Sequence, residues 1–128
     1  MPGLDGVDAF ILDIDDERGV VDALFRFAPE VTVPLHNHLA QTNMFILEGA
    51  LNMYHADGSL RETRAAGTYH RGKRDDAHLE GGGPDGAVVY YSVRLHGAEE
   101  IVETLDDNGV AISTLTLSHV RQLFAAQK

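Results

Sequence analysis

The stretch VPLHNHLAQTNMFILEG, residues 33–49, decides how the chain is read. Two histidines, His36 and His38, stand one residue apart, and an apolar run follows that ends at a glycine. In an extended strand, side chains at i and i+2 project to the same face. His36 and His38 can then aim two imidazoles at one point, which is the geometry that a metal ion needs. Two unpaired imidazoles inside a barrel would be costly without a ligand. The alternative is a loop, since Pro34 and Asn37 suit a turn with both rings in water. Seven histidines in 128 positions would give such a pair in roughly 0.4 of random shuffles, so the pair alone leaves both readings open.

The surrounding signals are those of short strands. In VVDALFRFA, Val21, Ala23, Phe25 and Phe27 share one face, with Asp22 and Arg26 on the other. NMFILEGALNMYH reads as two strands around a tight turn at Glu48–Gly49. Asp57–Gly58 is a hairpin signal, and the β-branched and aromatic GAVVYYSVRL reads as strand. Residues 106–109, DDNG, read as another turn, and VAISTLTL follows as strand. The glycine-rich EGGGPDG lacks the lysine and helix of a phosphate loop and reads as a flexible turn. Only the C-terminus has helical spacing, with Ser118 as N-cap and Val120, Leu123, Phe124 and Gln127 on one side. This pattern predicts an all-β antiparallel sandwich or small barrel with a short terminal helix.

The length of 128 residues suits a single domain, 1–128. With 44% apolar and 23% charged residues the chain is an ordinary soluble one. No run is long enough for a membrane span. The first ten residues show no export signal, so the expected location is cytoplasmic. The absence of cysteine excludes disulfides, thiolate metal sites and a cysteine nucleophile. A net charge of −10 argues against nucleic acid. No serine or paired-carboxylate arrangement offers a rival catalytic centre.

A third ligand candidate is His78, in GTYHRGKRDDAHLEGGG. Two motifs select it by resemblance. His36-Asn37-His38, three residues, Thr42, six residues and Gly49 resemble the first motif of the cupin family. Gly67 to His78, eleven residues on, resembles the second, with Lys73 and Asp75 in place of its usual proline and glycine. The match covers roughly residues 20–95. It implies a single small cupin barrel, a double-stranded β-helix or jelly roll, with His36, His38 and His78 as metal ligands.

The glutamate usual in the first motif is missing: Thr42 takes its place, and Asn43 the alternative spacing. Three neutral imidazoles leave the full charge of a divalent ion in place, which favours an anionic bidentate substrate. The forty-residue gap from His38 to His78 and the closing LDDNGVAISTL are similar to the small acetylacetone-cleaving dioxygenases and the related cupin half of certain anti-sigma factors. The resemblance implies iron(II), with zinc, nickel and manganese as other options, and oxidative carbon–carbon cleavage of a β-dicarbonyl-like or aromatic ketone substrate by dioxygen. Two alternatives stay open: a metal- or ligand-sensing cupin without turnover, and a zinc-dependent isomerase or hydrolase.

Positions that orient the diketone in that group hold Met44, Tyr54 and Gly72 here. A three-residue turn at Glu48–Gly49 would bring Tyr54 opposite Met44, inside the barrel. Alternation groups Val89, Tyr91 and Val93 as a pocket wall or as plain core. His70, on the approach to His78, is a candidate further ligand or acid–base group. His55, His96 and His119 read as exposed. Apolar residues on both faces of 44–53 suit a homodimer.

Overall fold

The computed structural model describes residues 5–127. The expectation of no export signal rests in part on residues 1–4, which lie outside them. Nine strands precede one helix: β1 (Val7–Asp15), β2 (Val20–Phe27), β3 (Thr32–His38), β4 (Gln41–Tyr54), β5 (Leu60–Ala65), β6 (Tyr69–His70), β7 (Ala77–Arg94), β8 (Glu100–Leu105), β9 (Ala111–Thr116) and α1 (Leu117–Ala126). All pairings are antiparallel, in the order β1-β2-β7-β3-β8-β9, with β4 on the other edge of β7 and also paired to β5 and β6. The result is a curled, cup-shaped β-sheet with a short terminal helix.

Strand β7 organises the molecule. Its second half pairs with β2, from Val20↔Arg94 to Phe27↔Ala87. Its first half pairs with β3, from Thr32↔Gly81 to Asn37↔Ala77. Its opposite edge follows β4 from Gln41↔Arg94 to Tyr54↔Leu79. Three regions far apart in sequence therefore meet on one strand.

The expected turn at Glu48–Gly49 is absent. Residues 41–54 form one bent strand that stays paired with β7, with register shifts between Ile46 and Glu48 and between Gly49 and Leu51. Gly49 has φ +69°, and a Cβ there would lie 2.1 Å from the Gly86 carbonyl oxygen. The glycine permits a bulge where two long strands bend together.

EGGGPDG is likewise strand within β7, and Gly81, Gly82 and Gly83 are buried. A Cβ at Gly81 would come within 2.3 Å of the Val31 carbonyl oxygen. Backbone proximity, and not flexibility, accounts for the glycine there.

The alternation read in β2 holds: Val21, Ala23 and Phe27 are buried and Phe25 half-buried, while Arg26 is exposed. The hairpin at Asp57–Gly58 joins β4 to β5, and the turn at residues 106–109 joins β8 to β9.

Two apolar clusters form the core. One contains Ile46, Leu51, Met53 and Val89, and the other Ile11, Val21, Ile101 and Val120. Helix α1 is capped by Thr116 and not Ser118: the Thr116 hydroxyl accepts from His119 N–H, and His119 Nδ1 accepts from Thr116 N–H at 3.1 Å. Among the described residues no helix is long and apolar enough to cross a membrane.

Candidate metal centre

Strand β3 presents His36 and His38 on one face, two residues apart, and β7 does the same with His78 and Glu80. The register places His36 opposite His78. One ligand atom from each of His36, His38, His78 and Glu80 falls within 4.8 Å of the others. The ring centroids lie 4.7 Å apart for His36–His78 and 5.0 Å for the other two pairs. His36, His78 and Glu80 are buried and His38 is half-buried.

Glu80 corrects the expectation of a site without a carboxylate. Sequence reasoning passed over it because it begins the glycine-rich segment. The usable signal was the i, i+2 spacing from His78, the same spacing that links His36 to His38. Its charge offsets one unit of a divalent ion, so the case for an anionic substrate loses its basis in an all-imidazole site.

Specific partners hold His36 and Glu80. His36 Nδ1 lies 2.9 Å from the Pro34 carbonyl oxygen, which makes Nδ1 the donor and points Nε2 at the cluster. His36 Nε2 is 3.2 Å from Glu80 Oε1. The Tyr91 hydroxyl donates to Glu80 Oε2 at 3.1 Å. Asp76 Oδ2 is 3.5 Å from His78 Nδ1, a charge contact outside hydrogen-bond geometry. Arg61 in turn grips Asp76 through both guanidinium nitrogens at 3.1 and 3.2 Å.

Burial pushes the Glu80 pKa up, but the hydrogen bond from His36 and the imidazole charges outweigh it and bring it down to about 2. Burial, reinforced by the charge of His36, lowers His38 to about 3. Burial also lowers His78. His36 is desolvated too, yet the Glu80 carboxylate raises it.

The residues fit a metal ion. Both ring nitrogens of His78 and Nδ1 of His38 are buried without a hydrogen-bond partner among the described residues. Buried imidazole nitrogens of this kind are costly unless something accepts their lone pairs. Three imidazoles and one carboxylate are a donor set for a divalent transition ion.

A cavity of about 500 Å³ opens beside the cluster. Its walls are mainly apolar, and His36, His38, Thr42, Glu80, Tyr91 and Val93 are among the residues that line it. Met44, Tyr54, His70 and Val89 are not among them. Met44 and Val89 are packed into the core, at 3% and 0% exposure. Tyr54 sits at the end of β4, opposite Leu60 and Leu79. The continuous β4 replaces the hairpin that would have turned Tyr54 inward. His70, on β6, contacts the Thr68 hydroxyl at 2.8 Å and stands outside the metal group. Asn43 is also outside it: its side chain binds the Tyr69 hydroxyl, the Gly72 N–H and Gln41. Thr42 faces the cavity with its hydroxyl on the Ala40 carbonyl oxygen. His55, His96 and His119 are exposed.

Solved structures share this architecture. An acetylacetone dioxygenase from Acinetobacter johnsonii superposes with a TM-score of 0.77 at 18% identity, over 96% of this chain and 79% of that one. An RmlC-like cupin protein from Ralstonia eutropha JMP134 gives 0.80 at 16% identity, over 97% and 75%. The polyketide cyclase RemF from Streptomyces resistomycificus gives 0.60 at 23% identity, over 73% and 68%. No curated protein sequence matches the chain. Residues 1–97 match the ChrR cupin-like domain, and the chain belongs to that family of cupins.

Proposed function

We propose that the chain is a metal-dependent cupin oxygenase. It would hold iron(II) through His36, His38, His78 and Glu80 and cleave a carbon–carbon bond of a β-dicarbonyl-like or aromatic ketone substrate. The observation that carries this reading is a His₃Glu group, three of its members buried and His38 half-buried, beside a mainly apolar cavity of about 500 Å³. The likeness to a dioxygenase from Acinetobacter johnsonii supports it.

Bound iron(II) supplies dioxygen redox chemistry and polarises a substrate oxygen. The chain supplies position and surroundings. Pro34 fixes the tautomer of His36, and Tyr91 fixes the carboxylate of Glu80. Glu80, held by Tyr91 and facing the three imidazoles, is placed to supply a negative charge to the group. Its work is to anchor charge. Apolar walls, Val93 and Phe25 among them, exclude water from the reacting centre.

A second reading, which the resemblance to the cupin half of certain anti-sigma factors implies, is a metal- or ligand-sensing domain without turnover. Anaerobically iron-loaded protein, given β-diketones and aromatic ketones and then oxygen, separates them. Oxygen uptake with cleaved product supports the oxygenase, and binding with neither uptake nor product supports the sensor. Turnover of a zinc-loaded form without oxygen points instead to an isomerase or hydrolase. Homodimer formation is part of the proposal: Leu47, Leu60 and Tyr69, exposed on the β4–β5–β6 face, suit burial against a second copy. Light scattering is expected to give twice the chain mass, and a monomer contradicts the pairing.

A further inference from the structure

The cavity states more about its occupant than the metal centre does. Among the described residues that line it, the ionisable side chains are His36, His38, Glu80 and Tyr91; no lysine or arginine is present. A carboxylate, phosphate or sulfonate lying away from the metal ligands would be desolvated with no cation to pair it. The net charge of −10 opposes the approach of an anion as well.

Size and wall chemistry narrow the class further. A volume of about 500 Å³ is equal to roughly 17 waters at about 30 Å³ each. It also falls within the range of about 300–1,000 Å³ that encloses drug-sized ligands. Phe25 and Tyr91 meet edge-on at 4.8 Å between ring centroids, and Phe25 and Phe27 at 6.3 Å. All three residues line the cavity. Such a wall accepts a further aromatic ring edge-on or offset.

A polar row crosses the apolar lining. The register runs from His78 on β7 to His36 on β3, Thr104 on β8 and Ser113 on β9. Thr104 and Ser113 line the cavity, and Ser113 is exposed. Neighbouring strands lie about 4.8 Å apart. The hydroxyls therefore stand about 5 and 10 Å along the row from His36. An uncharged oxygen substituent is what a threonine and a serine hydroxyl can bind.

We propose that the site takes an uncharged, ring-containing aromatic ketone of bicyclic or tricyclic size. One oxygen would face the His₃Glu group and a second neutral oxygen would lie along Thr104 and Ser113. This deepens the reading above and rests on it only in taking this cavity as the substrate site.

The test is a fluorescence titration of the metal-free full chain with prodan, an uncharged naphthyl ketone whose emission moves to the blue in apolar surroundings. The competitors are 2-acetylnaphthalene and its charged counterpart, 2-naphthoate. We expect a blue shift on binding and displacement by the ketone at a concentration at least about tenfold below that needed with the carboxylate. Ser113→Asp, at the exposed mouth, is expected to weaken prodan at least about tenfold, and Ala9→Phe, on the cavity wall, to do the same. Circular dichroism confirms that each variant is folded. No blue shift, equal displacement by both competitors, or folded variants that bind as the parent does would each overturn the proposal. Because no metal is present, a chain that binds prodan and shows no oxygen uptake leaves this inference standing and removes the oxygenase.

Discussion

At the scale of single residues, the site is a set of buried polar groups that hold one another. Tyr91 donates to Glu80, and both are buried. A hydrogen bond to a charged group contributes about 1.5–3 kcal/mol. Tyr91→Phe keeps the ring and removes that donor. It is expected to cost about 1.5–3 kcal/mol in urea unfolding, and an unchanged midpoint would show that the contact is not made.

The imidazoles also set a pH dependence for the metal-free protein. His38 is lowered from 6.5 to about 3, and His78 is lowered too. Below pH 6.5 the unfolded chain protonates these groups while the folded one resists, so stability falls on acidification. Glu80, lowered from 4.5 to about 2, adds to the loss below pH 4.5. His36 is raised and acts in the opposite sense: its contribution is full below pH 6.5 and is lost as pH rises through its folded value. Because the His36 contribution is constant below pH 6.5, the urea midpoint is expected to drop steadily from about pH 6.5 toward 3 as His38, His78 and then Glu80 lose theirs. A flat profile over that window contradicts the buried, neutral state of His38 and His78.

At the scale of elements, the two long strands account for what the sequence concealed. Inward positions on β7 are even at His78 and Glu80 and odd at Val89, Tyr91 and Val93. The change occurs through residues 83–86, where Gly86 has φ +78°. Strand β4 makes its own change, from even at Met44 and Ile46 to odd at Leu51 and Met53, through the register shift between Ile46 and Glu48, next to Gly49. Simple alternation read from either end stops at these bulges, so EGGGPDG resembled a turn and Glu80 a loop residue. The H-x-H pair and the alternation of β2 were legible because each lies within one unbroken strand. His78 was legible through motif spacing. The lining role of Thr104 and Ser113 was not, because it depends on cross-strand register between β3, β8 and β9. Gly49→Ala tests the bulge. The left-handed conformation alone costs about 1–2 kcal/mol, and the contact with Gly86 adds to it. A loss of at least that size in urea unfolding is expected, and a neutral substitution would refute the bend.

At the scale of the whole molecule, the cup brings together four side chains that reach the site from only two strands. Strand β3 carries His36 and His38, and β7 carries His78 and Glu80. Pairing of β3 with one half of β7 leaves the other half for β2, whose apolar face walls the cavity. The candidate metal centre and the cavity therefore depend on the same strand. The most direct measurement is metal analysis of the purified protein beside His78→Ala and Glu80→Gln, with circular dichroism to verify folding. One divalent ion per chain in the parent, and its loss from folded His78→Ala with weaker retention in Glu80→Gln, is the expected result. A parent without metal after loading, or a folded His78→Ala that keeps its ion, would contradict the assignment of these four residues as a metal centre.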